Sequence, residues 1–177
     1  MNPPTAEDAR TLLLELGAPP RLIRHVELVG EAAELILAAV EACDVAVDRE
    51  LVRVGVVLHD VGKIEHPREL DGPGSDHEPS GEALLVSRGV SPQVARICVS
   101  HARWRDLHVS LEEALVALAD KLWKGVRKPD LEKLVIDLVG HRTSMDPWDL
   151  FIKLDTAFEE VAGDGADRLR RSRVGAG

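Results

Sequence analysis

Tyrosine is absent from this 177-residue chain, and phenylalanine and tryptophan supply only two and three residues. A core without aromatic bulk has to be filled by Leu, Val, Ala and Ile, which the 45% apolar content can provide. Cysteine is nearly as scarce. Cys43 and Cys98 both fall in apolar helical stretches, a placement that suits small buried thiols in a reducing compartment and not a disulfide framework. No apolar run reaches the roughly 18 residues that a bilayer span requires. The opening Met1–Asp8 has neither the basic nor the apolar region of a secretory signal. The expected setting is therefore cytoplasmic, without a membrane partner. A formal charge of −9 argues against the basic stripes that hold polyphosphate backbones, so nucleic acid is not an expected partner. A small phosphorylated ligand remains compatible, because it would meet local charges and not the average surface.

Strand signals are also missing: no stretch sustains period-2 alternation with β-branched enrichment. Helical spacing is everywhere instead. A first helix is expected over Thr5–Leu16, stopped by Gly17, and a long one from Pro19-Pro20 to about Cys43. In the second, Leu22, Val26, Val29, Ala33, Ile36, Leu37 and Val40 recur at three- and four-residue steps, with His25 beside the stripe. Asp48 is a candidate N-cap for a helix over Arg49–Val61. Residues 64–74, with Pro67, Gly72, Pro73 and Gly74, read as a loop that could cover a site. Ser75 with Glu78, and Ser110 with Glu113, are capping-box spacings for two further helices. Ser91-Pro92 opens a helix carrying Cys98 and His101, and Pro129 and Pro147 open two more. The sum is an all-α, compact bundle of about eight helices in one domain, residues 1–163, followed by a flexible Arg/Gly-rich tail, 164–177.

Among these helices lies an ordered series: His25, His59-Asp60, His77, His101, Asp120. An adjacent His-Asp pair among Val and Leu is costly to bury unless both side chains find a partner, and a divalent metal satisfies both at once. His25, His59, Asp60 and Asp120 could hold one ion from three helices. Asp60, with two oxygens, could bridge to a second ion held by His77 and His101, or those two histidines could contact substrate beside a single ion. Such N/O donors accept Fe, Mn, Co, Ni, Zn or Mg. Two metals roughly 3.5–4 Å apart activate a water and clamp a phosphate oxygen, which is what phosphoester hydrolysis needs.

The series resembles the HD-domain superfamily of metal-dependent phosphohydrolases. Leu58-His59-Asp60-Val61-Gly62-Lys63 is similar to the family's doublet context, and Ala119-Asp120-Lys121 to its closing aspartate. The additional His77 and His101 look like the dinuclear branch, and the resemblance extends over about residues 20–125. It implies an all-α bundle with a central metal site, two divalent ions, and hydrolysis of a phosphoester of a small metabolite or nucleotide through a metal-activated water. The cyclic-dinucleotide branch carries a Tyr-containing signature, which a chain without tyrosine cannot match.

Position suggests further candidates. Lys63, three residues after Asp60, can meet a phosphate as a point charge, so Asp60 and Lys63 are the expected catalytic pair. Lys63, Arg103 and Lys124 are the expected substrate contacts, Lys124 lying one turn after Asp120. Arg105 and Trp104 are weaker candidates, the latter as a base platform or as packing. Glu78 reads as a helix cap more than as a ligand. A homodimer is compatible with a small helical domain. Two other functions share the scaffold: a noncatalytic nucleotide-binding or regulatory domain, and a di-iron oxygenase.

Overall fold

The structure is a computed structural model that describes residues 5–173. Within them lie ten α-helices and no strand: α1 (Ala6–Glu15), α2 (Pro20–Glu41), α3 (Arg49–Leu58), α4 (His77–Ser87), α5 (Pro92–Ala95), α6 (Ile97–Ser100), α7 (Leu111–Leu122), α8 (Pro129–Gly140), α9 (Pro147–Gly163) and α10 (Gly165–Arg173). Eight of these have nine residues or more, matching the expected all-α bundle. Two 3-10 turns follow α3, Val61–Ile64 and Pro67–Leu70, the second within the stretch 64–74 expected to be irregular.

The helix ends follow local chemistry. Thr5 and Asp8 form a reciprocal capping box at α1, which Gly17 closes at φ +80°, a left-handed conformation that glycine adopts without a Cβ penalty. Asp48 accepts the Leu51 N–H at 3.0 Å. Ser110 and Glu113 cap each other's backbone at 3.2 and 2.8 Å, as their spacing implies. Ser75 does not cap α4. The Glu69 carboxylate reaches across from the preceding 3-10 turn and accepts the Asp76 and His77 N–H groups, each at 3.2 Å. Glu78 makes no cap either.

Helix α7 is the axis of the bundle. Every residue from Leu111 to Asp120 is buried, because α2, α3, α6, α8 and α9 all pack on it. The rest of the core is Leu, Val, Ala and Ile from α2 and α3, with Phe158 the single buried phenylalanine. Truncating one of the fully buried leucines, such as Leu118, to alanine would cost about 2–5 kcal/mol. Both cysteines are buried thiols, each donating to a main-chain carbonyl of its own or a neighbouring helix.

Two expectations are corrected. The helix expected over Arg49–Val61 ends at Leu58, leaving His59 at its C-cap and Asp60 beyond it. The chain also does not fray from Gly163. Residues 165–173 form α10, docked by Arg168, 2% exposed, which donates to Val161 O at 2.7 Å, and by Arg171, which forks onto Glu31 at 2.7 and 2.8 Å. A tail written in arginine looks soluble in sequence, yet a guanidinium can be buried when its donors find carbonyl and carboxylate oxygens. Residues 174–177 of that expected tail, and the first four of the opening stretch, lie outside the described residues. No described helix is long and apolar enough to cross a membrane.

Candidate metal centre

The early end of α3 builds the site. His59 closes the helix through its N–H to Gly55 O at 2.8 Å, and Asp60, at φ −107°, turns the chain into the 3-10 segment. Gly62 then lies against the first turn of α4 so closely that a Cβ there would stand 1.9 Å from the His77 carbonyl oxygen. This backbone contact carries His77 onto Asp60. His25 arrives from α2, His101 from the end of α6, and Asp120 from the last turn of α7.

Four imidazole Nε2 atoms converge on two carboxylates. His25 Nε2 is 3.2 Å from Asp60 Oδ2 and 3.6 Å from Asp120 Oδ1. His59 Nε2 is 3.5 Å from each of the same two oxygens, and the two Nε2 atoms are 3.3 Å apart. On the other side of Asp60, Oδ1 faces His77 Nε2 at 3.2 Å and His101 Nε2 at 3.7 Å. All six expected residues are thus brought together, with Asp60 central and 2% exposed.

The opposite face of three of these rings decides what the near face can do. His59 Nδ1 lies 2.8 Å from Val56 O, and His101 Nδ1 lies 3.0 Å from Ile97 O. His77 Nδ1 is hydrogen-bonded to the Glu69 carboxylate. Carbonyl and carboxylate oxygens only accept, so each Nδ1 is the donor, and in the neutral ring Nε2 presents a lone pair. Lone pairs aimed at carboxylate oxygens repel unless a cation stands between them. Donor atoms about 2.0–2.2 Å from one ion lie roughly 2.8–3.6 Å apart across right or tetrahedral angles. The set His25, His59, Asp60 Oδ2 and Asp120 Oδ1, spaced 3.2–3.6 Å, fits that requirement. Two overlapping groups, His25–His59–Asp120 and His59–Asp60–His101, bring their ligand atoms within 4.8 Å of one another.

The protonation preferences tell the same story. Burial disfavours the charged form of His59, but Asp60 and Asp120 outweigh it and raise its pKa. His77 is raised in the same way, burial being overcome by Asp60 and Glu69. Burial and then the neighbouring His59 push His101 down to about 4. Burial would raise Asp60 and Asp120, yet the surrounding histidines, joined at Asp120 by Lys121, hold both carboxyls well below the usual carboxylate range.

The other expected site residues divide. Lys63 Nζ lies 2.6 Å from Asp60 Oδ2, with its side chain 19% exposed on the cleft above the cluster. Lys124 also lines this cleft, which has a volume of about 590 Å³. Arg103 does not. It faces a neighbouring shallow pocket beside Ser75 and Val99 and pairs with Asp106 at 3.6 Å, because the chain turns away from the cleft after His101. Trp104 is buried under the Arg105 guanidinium, 4.4 Å from its ring, while Arg105 pairs with Asp130 at 2.8 Å. Neither stands on the cleft wall. Glu78 does, beside His77, where burial raises its carboxyl pKa.

Three further residues around the cluster escaped sequence reading. Glu69 orients His77 from the 3-10 turn Pro67–Leu70. Lys121 pairs with Asp120 at 2.7 Å. Trp123 meets the His25 ring edge-on at 5.0 Å and lines the cleft. Only Lys121 left a sequence signal, its adjacency to Asp120.

Comparison with known proteins agrees with this geometry. Residues 22–124 match the HD domain family, a span from the start of α2 to just past α7 that holds all six clustered residues. A tRNA (cytidine(56)-2'-O)-methyltransferase of Thermoplasma volcanium is 27% identical over 94% of this chain and 50% of its own length. The corresponding enzyme of Picrophilus torridus is 25% identical over 95% of this chain and 45% of its own. The chain therefore spans about half the length of these relatives. An uncharacterized protein of Methanocaldococcus jannaschii is 27% identical over 73% of this chain and 81% of its own. Among solved structures, the HD domain of the Listeria monocytogenes phosphodiesterase PgpH superposes with a TM-score of 0.54 over 85% of this chain and 97% of that domain, at 16% identity. The likeness is one of fold. With more than half of the chain matched, and the His-Asp doublet set among the histidines and the closing aspartate inside the matched span, the chain belongs to the HD domain family.

Proposed function

We propose that this chain is a metal-dependent phosphohydrolase with two divalent ions, acting on a phosphoester of a small metabolite or nucleotide. HD domains are in general enzymes of this class. The observation that carries the reading is the set of Nδ1–H anchors on His59, His77 and His101, which aims Nε2 lone pairs at carboxylate oxygens that cannot donate back. His25, His59, Asp60 and Asp120 would hold one ion; His77, His101 and the second oxygen of Asp60 would hold the other. Bound there, divalent ions supply Lewis acidity, lowering the pKa of a water and polarising a phosphate oxygen.

The chain's own residues do the rest. Asp60 and Asp120, held ionised, would balance the charge of bound cations, and Asp60 offers one oxygen to each side of the cluster. Lys63, tethered to Asp60 yet open to the cleft, places a positive charge where the phosphate enters and offsets negative charge as the bond breaks. Trp123 and the Nδ1 anchors keep the imidazoles from turning. The methyltransferase name of the half-covered relatives belongs to proteins about twice as long. It favours a substrate drawn from nucleotides, and nothing in the cluster calls for methyl transfer.

The test is elemental analysis and phosphate release, side by side, for the wild type and Asp60→Ala across phosphate esters and nucleotides. About two transition-metal ions per chain, with release lost in the variant, is expected. One ion would keep the hydrolase and return His77 and His101 to substrate contact. No metal after reconstitution with Mn or Fe, or full release by the variant, would sink the reading.

A further inference from the structure

Acidic residues outnumber basic ones by 31 to 22, so an uncommitted cation is informative in this chain. The cleft above the cluster is lined by five cations, Arg21, Lys63, Lys121, Lys124 and Arg173, against three carboxylates, Asp60, Glu78 and Asp120. Lys63 and Lys121 are committed to the cluster, and Arg21 forms an exposed pair with Asp71. Lys124 and Arg173 form no ion pair among the described residues. They come from distant parts of the chain: Lys124 just past α7, and Arg173 at the end of α10. The docking of α10 through Arg168 and Arg171 is what brings Arg173 to the cleft, along with Leu169 and Ser172. Leu22, Leu70 and Trp123 add apolar wall suited to the organic body of a ligand. At about 590 Å³ the space far exceeds what one phosphate group fills.

We propose that Lys124 and Arg173, with Arg21 at the rim, form a second anion subsite, and that the substrate carries a second phosphate besides the scissile one. This rests on the reading of the metal cluster as the scissile-phosphate site. A nucleoside bisphosphate and a 5'-phosphorylated dinucleotide share the required chemistry. Two cations, one a guanidinium able to fork onto phosphate oxygens, give the second phosphate charge-assisted hydrogen bonds.

Calorimetric titration tests it. The purified metal-loaded chain is titrated with slowly hydrolysed phosphorothioate analogues of adenosine 3',5'-bisphosphate, 5'-phosphorylated diadenosine and adenosine 5'-monophosphate, so that the metal cluster holds one phosphate while binding is read. The wild type should prefer at least one two-phosphate ligand over the monophosphate by about tenfold or more, and the ligand preferred names the source. Lys124→Ala/Arg173→Ala should lose that preference, and the charge-conserving Lys124→Arg/Arg173→Lys should keep it. No preference in the wild type, a preference that survives the alanine pair, or one lost in the charge-conserving pair would overturn the subsite. Phosphate release is measured in parallel. A wild type that releases none yet shows the preference loses the hydrolase reading and keeps the subsite.

Discussion

Replacing Gly62 with alanine should weaken the second of the two proposed ion sites, the one that includes His77. The added Cβ would stand 1.9 Å from His77 O, 2.7 Å from Gly81 N and 2.8 Å from His77 C, where real Cβ contacts essentially never fall below 3.0 Å. All three obstacles are main chain, so no side chain can swing aside. Relief requires the 3-10 turn and the start of α4 to part by about 1.1 Å, the shortfall at His77 O. Metal ligation tolerates only about 0.2 Å. The displacement falls on His77 itself, whose Nε2 faces Asp60 Oδ1 at 3.2 Å, while His25, His59 and Asp120 come from α2, the end of α3 and α7. The strain costs about 1–3 kcal/mol, the usual range for overpacking. Urea unfolding should show that loss, and elemental analysis should show about one ion per chain fewer than in the wild type, for which two are proposed. An unchanged unfolding midpoint together with full metal content would refute the idea that this backbone contact positions His77.

Other perturbations follow from the same geometry. Glu69→Ala removes the acceptor of His77 Nδ1 and of the Asp76 and His77 N–H groups that open α4; affinity at the proposed second ion site should fall about 10–100-fold by metal titration, and two tightly held ions would contradict it. Metal-free stability should decline as pH rises above about 6.5. His59 and His77 have folded pKa values above the ordinary 6.5, so what they contribute is complete below that pH and is lost as pH climbs through the folded values. His101, lowered to about 4, and the depressed carboxylates titrate below this window. Ions need neutral imidazoles, so the gap in Tm between loaded and metal-free protein should widen over the same range, and a narrowing gap would be the wrong sign. Gly30→Ala, in α2, would place a Cβ no nearer than 4.0 Å to Val56 Cγ1 and should stabilise by about 0.5–1 kcal/mol in urea unfolding; a loss would mean that α2 and α3 pack more closely than described.

The sequence by itself determined the class of fold and the identity of the clustered residues. Helical periodicity, prolines at first turns and side-chain caps such as Asp48 and Ser110 are local signals, set by interactions within four residues, and they placed most helices within a few positions. The His-Asp doublet among Val and Leu was legible because burying it without a partner is costly wherever it lies. What happens across the fold was not legible. Glu69 took over the capping of α4 from Ser75 and gained His77 as a partner; Arg103 turned away from the cleft while Trp123 and Arg173 turned into it. A buried arginine made a helix of a presumed tail. Each of these depends on a donor meeting an acceptor or a wall far away in the chain. Local pattern fixes which groups must be satisfied, and only tertiary packing decides which distant group satisfies them.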